Sequence, residues 1–125
     1  MSKYDTICAI STAAGTAAIA VIRLSGAESH TIAHHIFRRN GKILEVNDIE
    51  PYKAYYGEVF DPIPDDKPMV DDVLVTFFKA PHSYTGEDSV EISCHGSEFV
   101  QQKILAPLLM VYSLLTFQTT TPLQV

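Results

Sequence analysis

Residues 82–96 read HSYTGEDSVEISCHG, and this stretch decides how the chain folds. From Ser89 to His95 polar and apolar side chains alternate, which predicts a half-buried strand with its polar side chains on one face. The residues before the strand favour a loop, and Gly86 among them is free to adopt a positive φ. The stretch therefore predicts a polar loop that runs into a strand whose polar face is suited to binding a ligand.

Outside this stretch, the sequence predicts four more strands and two helices. Residues 25–28 have the spacing of a capping box and predict a first helix that runs to about Arg39. Ser97 is placed to cap a second helix, which Pro107 should kink or end. The predicted strands cover residues 6–11, 19–25, 52–60, 73–78 and 89–95, and the third and fourth should form an antiparallel hairpin. This order indicates an α+β fold, an antiparallel sheet of about five strands with the helices on one face.

The composition is that of one globular domain. The chain has 125 residues, of which 46% are apolar and 19% are charged, a balance typical of folded proteins. Nine basic and fifteen acidic residues give a net charge of -6, which disfavours direct binding to a phosphate backbone. We therefore expect no direct nucleic-acid binding by this chain.

The two cysteines, Cys8 and Cys94, lie inside strand-like runs, which predicts reduced core residues. The first five residues lack a secretion signal, and no apolar run approaches the ~20 residues that span a bilayer. These features predict a cytoplasmic protein without a membrane segment.

Arg23 stands among apolar residues in the second predicted strand. An unpaired guanidinium is costly to bury, so Arg23 needs an anionic or carbonyl partner. Glu91, on another predicted strand, is the obvious candidate. Two interpretations stay open: a plain salt bridge across the sheet, or a pocket in which each group binds a different part of one ligand.

Other candidate sites are weaker on physical grounds. Cys94 and His95 suggest an activated thiolate, but adjacent strand residues point to opposite faces and do not pair easily. His30 and His34 share a helix face, but no third metal ligand is evident, so a solvated face is favoured and no metal is predicted. Gly41 and Lys42 could end a phosphate-binding loop, but Ile43 follows them and no glycine stands five residues before Gly41. We therefore expect no GTP or ATP binding through such a loop.

The chain resembles the N-terminal domain of the tRNA-modification GTPases of the MnmE (TrmE) family over about residues 5–106. The matching segments are residues 5–7 (DTI), Gly15, residues 22–26 (IRLSG), residues 81–88 (PHSYTGED) and residues 91–96 (EISCHG). The resemblance implies a fold similar to the folate-binding aminomethyltransferases and a domain that forms the dimer contact of the whole protein. It also implies a domain that presents a one-carbon unit for modification of a tRNA wobble uridine.

The same resemblance assigns binding of a tetrahydrofolate derivative, the 5-formyl or 5,10-methylene form, to Arg23 and Glu91. A carboxylate such as Glu91 suits the paired N–H donors of a pterin, whereas Arg23 would hold the pterin oxygen, the one-carbon group or the glutamyl tail. In the full-length family the partners are tRNA and a flavin-dependent protein. The family's GTPase domain is absent here, so this chain is expected to be a non-catalytic binding domain.

Residues 110–125 do not resemble the family, which has a folate-contacting lysine in the corresponding region. We therefore predict a folate-binding and dimerisation domain at residues 1–109 and a non-matching tail at 110–125, as in a truncated product. Two further hypotheses remain. One is a dimerisation scaffold with an incomplete ligand site, and the other is a small cysteine-dependent transferase that uses Cys94.

Overall fold

A computed structural model describes residues 6–11, 18–60 and 69–115 of the chain. The described residues form one seven-stranded antiparallel sheet with strand order β1-β2-β7-β6-β5-β3-β4. The strands are β1 (Ile7–Ile10), β2 (Ile19–Ser25), β3 (Phe37–Arg39), β4 (Lys42–Ile43), β5 (Ala54–Phe60), β6 (Met69–Phe78) and β7 (Ser89–His95), and the helices are α1 (Ser29–Ile36) and α2 (Glu98–Leu115). A short 3-10 turn covers Val46–Asp48. The predicted α+β class is confirmed.

Both helices pack on one face of the sheet, and among the described residues no helix covers the other face. Alternation along each strand explains this division, because apolar side chains of the central strands point at the helices and their neighbours point away. The buried core combines the inward faces of the sheet with the helices. Its largest fully buried side chains include Ile22, Leu24, Ile32, Ile36, Val75, Phe77, Val90, Ile92, Ile104 and Leu108.

The prediction of about five strands is wrong in number, because the sheet has seven. The two extra strands, β3 and β4, follow α1 directly. The first helix ends at Ile36 rather than near Arg39, and Phe37 pairs with Val59 of β5. Phe37 is almost fully buried there, so tertiary burial of its ring favours the extended conformation over another helical turn.

The predicted capping box is also wrong. Ser25 lies in β2, and Glu28 occupies the N-cap position without a side-chain capping bond. Instead the hydroxyl of Ser29 donates to the carbonyl oxygens of Gly26 and Asp88, at 2.8 and 3.0 Å. The start of α1 is therefore attached to the residue just before β7.

Helix α2 continues through Pro107 to Leu115, so of the two predicted effects of this proline, a kink or an end, the end is wrong. Proline in a helix interior costs about 3 kcal/mol, but Leu108, Val111 and Tyr112 beyond it are all buried. Burial of three large side chains offsets that cost. The helix crosses the predicted domain boundary at 109, which stays a prediction, and residues 116–125 of the predicted tail lie outside the described residues.

Three local predictions are confirmed. The bounds of β2 and β7 agree with the sequence pattern, and β5 pairs with β6 as an antiparallel hairpin. The hydroxyl of Ser97 accepts a hydrogen bond from the backbone N–H of Val100 at 3.1 Å, as expected of a helix cap. Within the described ranges, no helix is long and apolar enough to cross a membrane.

Candidate functional site

The central feature of the uncovered face is an ion pair between Arg23 and Glu91. Strands β2 and β7 are neighbours, and their register places Arg23 directly opposite Glu91. The Nε and Nη2 atoms of Arg23 donate to Oε2 of Glu91 at 3.0 and 2.5 Å. The sequence-predicted residues are thus brought together, and each supplies the partner that the other needs in a strand of apolar neighbours.

The ion pair is partly open to solvent, unlike the residues on either side of it. The side chains of Arg23 and Glu91 are 29% and 22% exposed, whereas Ile22 and Ile92 beside them are fully buried toward the helices. Both guanidinium bonds use Oε2, and among the described residues no donor lies on Oε1 of Glu91. The pair therefore keeps hydrogen-bonding capacity for a further group.

The loop formed by residues 79–88, between β6 and β7, covers one side of this pair. Its Tyr84 ring lies 4.9 Å from the guanidinium carbon of Arg23, within the range of a cation–π interaction. The Ser25 hydroxyl lies 2.6 Å from the Thr85 hydroxyl and donates to the Glu87 carboxylate at 2.9 Å. The loop is thus bonded to the strand that carries Arg23.

Internal hydrogen bonds give this loop a defined shape. The Ser83 hydroxyl donates to the Glu87 carbonyl at 2.5 Å, and the Ala80 amide donates to the Asp88 carboxylate at 2.9 Å. Gly86 has a φ of 80°, so the predicted positive φ is confirmed. The polar residues that the sequence placed before β7 thus hold the loop that carries Tyr84.

An aromatic cluster extends the site along the loop. Tyr84 contacts Phe78 at a ring-centroid distance of 6.2 Å, and Phe78 contacts Tyr52 at 5.8 Å. With His82 and Ser83 these three rings line an open cavity of about 320 Å³. The sequence analysis missed Tyr52 and Phe78. The aromatic content of residues 52–60 was a signal for Tyr52, whereas Phe78 was taken only as the end of an apolar strand.

The positions of Cys94 and His95 do not support a cysteine nucleophile. Burial, together with the nearby charge of Asp71, raises the pKa of Cys94 to about 11, so the thiol stays protonated near neutral pH. His95 bonds to the Asp71 carboxylate through Nδ1 at 2.8 Å. Cys8 and Cys94 are both free and buried, which confirms the prediction of reduced core cysteines.

His30 and His34 are not arranged as the ligands of a metal site. His30 is half-buried, and its Nε2 lies 3.0 Å from the Phe78 carbonyl oxygen and 3.2 Å from that of Ser89. Burial and the neighbouring His35 lower the pKa of His34. In the part of the chain that the structure covers, no three metal-ligating side chains converge.

Comparison with known proteins identifies the family. A family profile described as "GTP-binding protein TrmE N-terminus" matches residues 6–116. The chain is 47% identical to the tRNA modification GTPase MnmE of Bacteroides fragilis over 109 residues, which are 86% of this chain and 22% of that protein. It is 48% identical over 105 residues to the protein of the same name from Pseudothermotoga lettingae, covering 84% of this chain and 21% of the relative.

A third relative, the tRNA modification GTPase MnmE of Porphyromonas gingivalis, is 41% identical over 105 residues, again 84% of this chain and 21% of the relative. The chain spans about a fifth of the length of these curated relatives. The profile match covers most of the chain, including every described strand and both helices. The chain therefore belongs to the TrmE N-terminal domain family.

Proposed function

We propose that this chain is the tetrahydrofolate-binding domain of a cytoplasmic tRNA-modification GTPase, with Arg23 and Glu91 as its ligand-contacting residues. The observation that carries the proposal is the partly exposed ion pair on the sheet face opposite α1 and α2. Oε1 of Glu91 has no donor among the described residues, so it is open to donors of a ligand.

The side chains present fit a folate in three respects. Glu91 offers a carboxylate oxygen to paired N–H donors of the kind that a pterin carries. Arg23 offers a planar fork of donors to oxygen acceptors, and Tyr84 offers an aromatic face beside it. When bound, the folate would supply the one-carbon unit, in a 5-formyl or 5,10-methylene form, while this chain's residues bind and orient it.

Titration with 5-formyltetrahydrofolate tests the proposal. Glu91→Ala should lower the affinity at least about tenfold, which corresponds to about 1.4 kcal/mol, while the domain stays folded. Glu50→Ala is a matched control. Glu50 also forms an ion pair, but an exposed one with Lys53, whose Nζ lies 3.3 Å from the Glu50 carboxylate, and not with Arg23. A folded Glu91→Ala chain with the affinity of the Glu50→Ala control would rule out the assignment.

Arg23→Lys separates the two interpretations of the ion pair. Lysine keeps the charge but loses the planar fork, so the ligand role predicts a larger loss of folate affinity than of thermal stability. Equal losses in calorimetric titration and in thermal unfolding would favour the plain salt bridge.

A second role, self-association, is favoured by the apolar part of the uncovered face. Ile19, Tyr56 and Leu74 are exposed there and contribute to the lining of a shallow cavity of about 350 Å³. Contiguous exposed apolar patches are one mark of a protein interface, and we propose a homodimer. In the full-length protein, tRNA and a flavin-dependent protein are the proposed partners. The acidic charge of this chain supports the proposal that another domain contacts the tRNA.

A further inference from the structure

The loop 79–88 has two ends, and one side chain of α1 contacts both. Phe78 ends β6, Ser89 begins β7, and the two residues are paired in the sheet register. Nε2 of His30 lies 3.0 Å from the Phe78 carbonyl oxygen and 3.2 Å from the Ser89 carbonyl oxygen. Because carbonyl oxygens only accept hydrogen bonds, Nε2 must carry the proton and donate to both.

Packing fixes the orientation of this imidazole. The His30 ring meets Phe77 edge-on, with centroids 5.3 Å apart and an interplanar angle of 83°, and Phe77 is itself buried. The ring therefore has little freedom to turn away from the two carbonyl groups.

The neighbouring contacts of α1 reach only one end of the loop. Ser29 donates to the Asp88 carbonyl, and the Gly26 amide donates to the same oxygen at 2.9 Å. In the described part of the chain, His30 is the α1 side chain that bonds to the end at Phe78 as well. Because Phe78 and Ser89 also pair with each other in the sheet, loss of the His30 bonds would free both loop ends from α1 rather than from each other. The loop that carries Tyr84 over Arg23 would then be held less firmly.

We propose that His30 is a positioning residue, which holds the loop 79–88 over the Arg23–Glu91 pair by donating one N–H to the carbonyl groups at both loop ends. His30 acts on the site through the loop, and its effect on folate affinity rests on the proposed function. The sequence placed His30 on a helix face without a partner, because neither carbonyl group is near it in the chain.

Hydrogen exchange of the 125-residue chain tests the proposal directly. His30→Phe keeps the ring packing and removes the N–H, so amides of residues 79–88 should exchange about tenfold faster, with α2 unchanged. His30→Gln, whose amide N–H₂ can take the place of Nε2–H, should restore slow exchange. Ile36→Val is the control for general destabilisation, because Ile36 is buried on the same helix. Equal exchange of the loop in His30→Phe and Ile36→Val would overturn the proposal.

Two further readouts keep the test decisive. In titrations with 5-formyltetrahydrofolate, His30→Phe should bind about fivefold more weakly and His30→Gln should recover most of the affinity. A loosened loop with unchanged affinity would overturn the role of His30 at the site. If the wild-type chain binds no folate, the proposed function fails, while the exchange rates still decide whether His30 holds the loop.

Ring nitrogen NMR of the wild-type chain needs no variant and covers the case in which His30→Phe does not fold. The Nε2–H tautomer with a slowly exchanging ring proton is expected. The Nδ1–H tautomer would overturn the proposal, because Nε2 could then donate to neither carbonyl group.

Discussion

The coupling between Arg23 and Glu91 can be measured by a double-mutant cycle on stability. The variants are Arg23→Met, which keeps most of the side-chain length without charge, Glu91→Gln, which keeps the shape of the carboxylate, and the double variant. The cycle isolates the interaction of the two groups from the other contacts that each side chain makes.

The expected magnitude follows from the geometry and exposure of the pair. Two unit charges about 4 Å apart attract by about 4 kcal/mol at an effective dielectric constant of 20, and the two bonds here are 3.0 and 2.5 Å. Partial desolvation opposes this attraction, since fully exposed pairs contribute about 0.2–1 kcal/mol and breaking a buried pair costs about 3–5 kcal/mol. With 29% and 22% of the side chains exposed, we expect a coupling of about 1–2 kcal/mol.

Thermal and urea unfolding of the four chains supply the measurement. Glu91→Gln alone should lower the unfolding midpoint by about 4–8 °C, because a domain of this size loses roughly 4 °C per kcal/mol. A coupling below about 0.3 kcal/mol would refute the expected magnitude and show that desolvation cancels the attraction of the pair. Unfolding of Glu91→Gln at room temperature would show that the pair is needed for the fold, and would refute the expectation that it remains available to a ligand.

The remaining predictions concern packing, thiols and assembly. Gly57→Ala should cost about 2–3 kcal/mol in urea unfolding, because an added Cβ would overlap the Arg38 carbonyl oxygen and lie 2.6 Å from the Phe37 ring; a neutral effect would contradict this packing. Neither Cys8 nor Cys94 should react with a disulfide reagent at about pH 8 in the folded chain, whereas both should react in concentrated urea. Burial raises the pKa of Cys8 from 9.0 to about 12, so on raising the pH the unfolded chain releases this proton first. The free energy of unfolding should therefore fall as the pH rises from 9 toward 12, and it should fall less in Cys8→Ala. Sedimentation at micromolar concentration should give about twice the 13.8 kDa monomer mass, and a strict monomer would contradict the proposed homodimer. No GTP hydrolysis is expected of the pure chain, and measurable turnover would argue against its assignment as a binding domain without a phosphate-binding loop.

Much of the sheet was predictable because its central strands carry a clear local pattern. Alternation between apolar and polar residues predicted β7, and the apolar run at residues 19–25 predicted β2, both with their observed bounds. The alternation put Glu91 on the polar face of its strand, whereas Arg23 stood out as a charge among apolar neighbours. The cap at Ser97 was also predictable, because it depends only on neighbouring residues.

The errors arose where long-range packing overrides local preference. Phe37 leaves α1 because it pairs with Val59, and α2 passes through Pro107 because the residues beyond it are buried. The two short strands β3 and β4 were missed since pairing with β5, rather than a local pattern, makes them strands. Local propensities are about 1 kcal/mol or less for most residues, which is smaller than the burial of one large side chain, and the cost of about 3 kcal/mol for proline is offset by the burial of several.

The amino-acid order alone was enough to select Arg23 and Glu91 as site residues. It also required a partner for the guanidinium, because the apolar neighbours of Arg23 make an unpaired charge costly to bury. Folding decided the rest. The register of β2 against β7 set the pair opposite each other, although 68 residues separate them. Folding also brought Tyr84 over Arg23 and His30 between the two loop ends, contacts between residues far apart in the chain for which no local pattern exists.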